Sequence, residues 1–103
     1  MGTDQPRMSA QTLKVLGALL SSPRDELSGA EIGRVAKLAS GTLYPILIRL
    51  EQAKWLESRW ETDDPKALGR PRRRFYRVTG LGVSKAREVL REVDSAFGSL
   101  SWA

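Results

Sequence analysis

Residues 55–79 read WLESRWETDDPKALGRPRRRFYRVT, and the way this stretch folds decides what the remainder of the chain is for. In its first part Leu56, Ser58 and Trp60 alternate with Glu57, Arg59 and Glu61, the period of two expected of a half-buried strand. TDDPKALGRP follows, rich in the residues that make turns. RRRFYRVT alternates again, with Arg73, Phe75 and Arg77 on one face and Arg72, Arg74, Tyr76 and Val78 on the other. The stretch therefore predicts a β-hairpin with a long basic loop. Trp55 and Trp60 are expected in the core of the hairpin and its junction.

The charge of the protein is concentrated in the same place. Residues 66–77 hold six Arg or Lys side chains and no acid. The rest of the chain has 11 basic against 12 acidic side chains, a net of −1 beside +5 for the whole. A nearly neutral body with one basic element is the electrostatic footprint of a nucleic-acid binder. A membrane-surface patch fits less well, because such segments are amphipathic helices or tails, and this one contains Gly69 and Pro71.

Composition removes other classes. With 103 residues, 41% hydrophobic and 28% charged, the chain suits one soluble domain, and it has no apolar run of membrane-spanning length. A cytoplasmic location is the expectation, since MGTDQPRM lacks an apolar signal stretch. Without Cys or His there is no disulfide, no thiolate metal site and no imidazole base. The acids are scattered, so no convergent acid–base set suggests an enzyme, and no cofactor or metal is expected.

Upstream of the hairpin the pattern is helical. Ser9 can cap a first helix in which Leu13, Leu16 and Leu20, flanked by Val15 and Leu19, recur at spacings of three and four. Gly17 within it suggests a close approach by another helix. In LSGAEIGRVAKL, Ser28 and Glu31 have capping-box spacing and Leu27 and Ile32 can form a hydrophobic staple, predicting a short helix over about 29–36. SGTLYPILIRLEQA (40–53) predicts a third helix with a buried stripe of Leu43, Ile46, Leu47 and Leu50, while Thr42, Tyr44, Pro45 and Arg49 lie elsewhere. With Thr42 as N-cap, Pro45 falls at the third helical position, where its missing N–H would be unpaired in any case. With Ser40 as cap, Pro45 bends the first turn.

Downstream, Thr79 can cap a last helix running from Leu81 to about Phe97, with Val78 and Val83 as staple. Two interleaved series, Val83, Leu90, Phe97 and Ala86, Val93, Leu100, recur every seven residues as coiled-coil core positions do. The stripe either packs on the protein's own helices or forms a symmetric dimer. A dimer is the expectation, with Leu13 and Leu16 of the first helix beside the stripe, because Leu81, Val83, Val89, Leu90, Val93 and Phe97 exceed what a small three-helix core should need.

The predicted order is helix, helix, short turn, helix, strand, basic loop, strand, long helix. The fold class expected is mainly α with a small β-hairpin: a winged helix-turn-helix plus one C-terminal dimerisation helix. It divides into a lead-in over 1–8, the DNA-binding domain over 9–79 and the helix and tail over 80–103. In this layout the third helix presents its first residues to the major groove and the hairpin wing reaches the backbone beside it. SGTLYPILIRLEQAKWLESRWE followed by GRPRRRFYRVT resembles, over residues 12–82, the DNA-binding domain of the PadR family of bacterial transcriptional regulators. The Gly-Thr-Leu-Tyr-Pro run and the Gly-Arg-Pro-Arg-Arg run ending in Tyr-Arg-Val-Thr carry the likeness. It implies a homodimeric repressor on a pseudo-palindromic operator, of the short branch whose single helix after the wing dimerises. It also implies that Tyr44 lies at the DNA surface, and that Phe97 and Trp102 can stack a small aromatic effector. Ala30 departs from the pattern, standing where family members usually have Tyr.

The residues expected on double-stranded DNA are Ser40, Gly41, Thr42, Tyr44, Pro45 and Arg49 at the start of the third helix, and Lys66, Arg70, Arg72, Arg73 and Arg74 on the wing. Against each stands a plainer role. Ser40 and Thr42 are capping material, Tyr44 can be half-buried against the wing, Arg49 can pair with an acid, Ile48 can simply pack, and wing cations can merely keep a strand edge from aggregating. A protein-interaction or architectural module without operator specificity is the alternative function. RNA binding is a third.

Overall fold

The computed structural model describes residue 6 and residues 8–101, the side chains of 97–101 excepted. Helix α1 spans Ala10–Leu20, with Ser9 as its cap: the Ser9 Oγ accepts the Thr12 N–H at 3.1 Å. Helix α2, Gly29–Ala36, carries the complete capping box. The Glu31 N–H donates to Ser28 Oγ at 3.1 Å and the Ser28 N–H donates to Glu31 Oε1 at 2.8 Å. The Ser28 N–H first, and after it the Ser28 hydroxyl, holds the Glu31 carboxyl below its ordinary pKa. Lys37, left-handed at φ 59°, ends α2 and turns the chain into α3, Ser40–Gln52.

The start of α3 corrects the expectation. The capping position is Ala39, whose carbonyl accepts from the Thr42 and Leu43 N–H groups, and no side chain caps this helix. Neither Thr42 nor Ser40 is outside it. The left-handed turn at Lys37 brings Ala39 into extended geometry two residues on, so the helix begins before the hydroxyl residues can serve as caps. Pro45 therefore sits well inside, as the sixth residue, and the Gly41 carbonyl has no N–H four residues ahead to accept from.

Strands β2, Leu56–Trp60, and β3, Arg74–Val78, form the hairpin, registered from Leu56 opposite Val78 to Trp60 opposite Arg74. A preceding two-residue strand β1, Leu27–Ser28, pairs with the far side of β3, giving the sheet order β1-β3-β2. The sequence reading has no β1, because two residues are too short for any alternation to show. The wing loop contains one helical turn, α4, Pro65–Leu68, capped by Asp64 and stopped by Gly69 at φ 70°. Helix α5 then runs Gly80–Ser101, with Thr79 as its cap: the Gly82 N–H donates to Thr79 Oγ1 at 2.9 Å.

One core joins these elements. Leu16, Ile32, Leu43, Leu47 and Leu50 are fully buried, and Trp55, Leu56, Tyr76 and Val78 close it from the sheet. Each buried aliphatic side chain contributes roughly 1.5–3 kcal/mol relative to exposure. The predicted α3 stripe is the buried one. Helix α5 packs on α1 and β3 through Gly82, Ala86 and Val89. The small side chains at 82 and 86 let it come close: a Cβ at Gly82 would lie 2.0 Å from the Trp55 carbonyl oxygen.

Four further expectations are corrected here. Leu16 and Ala86 are buried inside the single chain and have no surface to offer a second copy. Val89, expected outside the core, belongs to it. Gly17 lies on an exposed face of α1 with nothing within 4 Å of where a Cβ would be, so among the described residues no helix of this chain approaches there. Trp60 is not a core residue. It is 56% exposed where Trp55 is 4% exposed, because the hairpin runs past the end of the core. Leu13, Val83, Leu90 and Val93 are half-buried. The side chains of Phe97 and Leu100, and all of Trp102, lie outside the described residues.

Candidate nucleic-acid interface

The stripe that anchors α3 leaves its opposite side in water. Ser40, Gly41, Thr42, Pro45 and Arg49 are exposed, Ile48 is 54% exposed, and Tyr44 is 39% exposed. No side chain caps α3, and its first residues Ser40, Gly41 and Thr42 are exposed. That is the arrangement in which a helix start attracts an anion. The Tyr44 ring lies across the start of α2: a Cβ at Gly29 would come 2.3 Å from the Tyr44 hydroxyl oxygen. Arg49 has no acidic partner among the described residues.

The wing cations divide by what they touch. Arg70 donates to both oxygens of Glu61, at 2.7 and 3.0 Å, and the Arg73 N–H donates to the same carboxylate at 3.1 Å. The Arg70 guanidinium, more than any other group, holds the Glu61 carboxyl down at a pKa of about 2. Arg70 is thus committed to closing the hairpin tip, where the sequence suggested a DNA contact. Arg72 donates to the Asp63 carbonyl at 2.9 Å and pairs with no acid among the described residues. The side chains of Arg73 and Lys66 have no acidic partner among the described residues. Arg74 stands 3.8 Å from Glu51 and lies over the Trp60 ring, its guanidinium carbon 5.0 Å from the centroid.

Other cations of the hairpin are occupied. Arg59 makes a two-pronged pair with Glu26 at 2.7 Å and lies over the Phe75 ring, and Arg77 stands 3.7 Å from Glu57. The hairpin's free positive charge therefore gathers at Lys66, Arg72 and Arg73.

The wing and the helices meet across a cavity of about 420 Å³ lined by Ser28, Gly29, Ala30, Tyr44, Trp60, Arg72, Arg73, Arg74 and Tyr76. No carboxylate among the described residues lines it. A second cavity of about 290 Å³ continues along α2 and α3, where Arg34 joins Ser40 and Tyr44. The structure thus brings Tyr44, Arg72, Arg73 and Arg74 around one opening and Ser40 and Tyr44 around the next. Lys66 and Arg70 line neither. The sequence reading missed Arg34 and Trp60 here. The exposed face of α2 could have pointed to Arg34; nothing in the local pattern separates Trp60 from Trp55.

A helix-turn-helix whose second member presents an uncapped, solvent-facing start, flanked by a basic three-stranded wing, defines a winged helix-turn-helix DNA-binding regulator and not an enzyme. The chain belongs to the transcriptional regulator PadR-like family, whose model matches residues 25–88. Among solved structures, the smu.1704 protein of Streptococcus mutans is 25% identical, with a TM-score of 0.70 over 93% of this chain and 89% of that one. A PadR-like transcription factor of Bacteroides fragilis is 26% identical, with a TM-score of 0.65 over 86% of each chain. MepR of S. aureus in its DNA-binding conformation shares the fold at 18% identity, with a TM-score of 0.68 over 91% of this chain and 64% of that one. No curated protein matches the sequence. No helix among the described residues is long and apolar enough to cross a membrane.

Proposed function

We propose that this regulator is a homodimeric repressor that binds a pseudo-palindromic operator, reading bases with the start of α3 and gripping the backbone with the wing. The observation that carries the reading is the shared opening: Tyr44 from α3 and the acid-free wing arginines Arg72 and Arg73 line one cavity, so one duplex can meet both. Ser40, Gly41, Thr42, Tyr44, Pro45 and Arg49 belong to the face that enters the major groove, and Ile48 offers an apolar contact for a thymine methyl. Arg72, Arg73, Arg74 and Lys66 neutralise phosphates and release counterions, which gives position and not sequence. The half-buried side chains Leu13, Val83, Leu90 and Val93, with Phe97 and Leu100 following at the same seven-residue spacing in the sequence, support a two-fold interface, and two copies then present two reading helices. A small aromatic effector stacked by Phe97 and Trp102 is part of the same reading.

Selection from random duplexes tests it. The expected product is an inverted repeat with half-site centres about one helical turn apart, roughly 34 Å. Enrichment of no repeat would leave an architectural or protein-interaction module instead. With the selected site upstream of a promoter, transcription in a purified system should fall as protein is added. A rise would make the protein an activator.

A further inference from the structure

Trp60 has no part in the function proposed above, yet its surroundings are unusual. It closes β2 directly opposite Arg74, whose guanidinium lies over its ring. More than half of the residue remains exposed. The ring lines the cavity between wing and helices beside Tyr44, Arg72 and Arg73, and none of the described residues lining that cavity is a carboxylate. A large apolar ring left in water next to unpaired cations suits a ligand that is apolar on one side and anionic on the other. A deoxyribose–phosphate unit has that character.

We propose that Trp60 is a DNA-contacting residue. The cavity seats one deoxyribose–phosphate unit of the operator, with the sugar packed on the Trp60 indole and the phosphate held by Arg72 and Arg73. Arg74, stacked on the ring, orders the indole before DNA arrives, so less side-chain freedom is lost on binding. The bases of a duplex are stacked on one another, so a wing beside the groove meets sugar and phosphate first. The assignment rests on the wing docking described under Proposed function, and the test separates the two.

Duplex binding is compared for the wild type, Trp60→Ala, Trp60→Phe and the Arg72→Ala/Arg73→Ala pair across a salt series. Trp60→Ala should weaken binding roughly tenfold, the scale of aromatic contacts to nucleotides, while the dependence on salt is unchanged because no cation is lost. Trp60→Phe should recover most of the affinity. In a Trp55→Phe/Trp102→Phe background, Trp60 fluorescence should become shielded from acrylamide when duplex is added, a change that a purely structural tryptophan would not show. Wild-type affinity in Trp60→Ala, or an indole equally accessible in the complex, overturns the assignment. If the arginine pair weakens binding while Trp60→Ala does not, only the Trp60 contact fails; if neither variant weakens it, the wing docking fails as well.

Discussion

Two glycines show how a single hydrogen atom in place of a methyl sets local architecture. At Gly82 a Cβ would meet the Trp55 carbonyl, a backbone atom fixed by the Thr79 N–H, which donates to it at 2.9 Å. Gly82→Ala must push α5 off the sheet and should cost about 1–3 kcal/mol in denaturant unfolding. At Gly29 the Cβ would meet the far end of the Tyr44 ring, which can swing aside. Gly29→Ala should therefore leave the melting temperature near the wild type while displacing Tyr44 and weakening DNA binding. Equal loss of stability in the two variants would refute this contrast. At the same scale Trp55 and Trp60 explain what local pattern can and cannot say. Both are tryptophans near a short strand, and only the distance each lies from the core separates the buried one from the exposed one.

The wing is held as an element by the Glu61 carboxylate, which takes two bonds from Arg70 and one from the Arg73 backbone. Because the folded pKa, about 2, lies below the ordinary 4.5, the stability this carboxylate contributes is fully present above about pH 4.5 and is lost as pH falls toward 2. The gap in melting temperature between wild type and Glu61→Gln should be open at neutral pH and close over that window. A gap independent of pH would mean that the charge of Glu61 does not matter. The same geometry distinguishes two arginines that look alike in the sequence. Arg73→Ala should shallow the salt dependence of DNA binding, by about one phosphate's worth, and leave unfolding unchanged. Arg70→Ala should lower stability first, because it frees Glu61 at the hairpin tip.

At the scale of the whole molecule, α5 has two duties along its length. Gly82, Ala86 and Val89 seat it on the protein's own core, while Val83, Leu90 and Val93, like Leu13 of α1, remain half-buried. Seven-residue spacing alone had assigned Ala86 to the partner-facing set. Leu90→Asp together with Val93→Asp should shift the sedimentation equilibrium toward monomer and reduce operator affinity, with the fold kept. A variant that stays dimeric would place the interface elsewhere.

Much of this protein follows from local sequence. The Ser9 cap, the Ser28–Glu31 capping box and the Thr79 cap each arise from contacts three residues apart, and the Leu43–Ile46–Leu47–Leu50 stripe and the strand alternation of the wing are periodicities written in the chain. The concentration of positive charge in residues 66–77 is likewise a property of the chain itself. Only the tertiary structure decided which of those cations are free, for Arg70 and Arg74 meet Glu61 and Glu51, acids 9 and 23 positions earlier in the chain. It also added β1 and turned Trp60 outward. These features depend on where the core ends and which strand edge or acid lies opposite, quantities set by packing between distant segments that no local pattern contains.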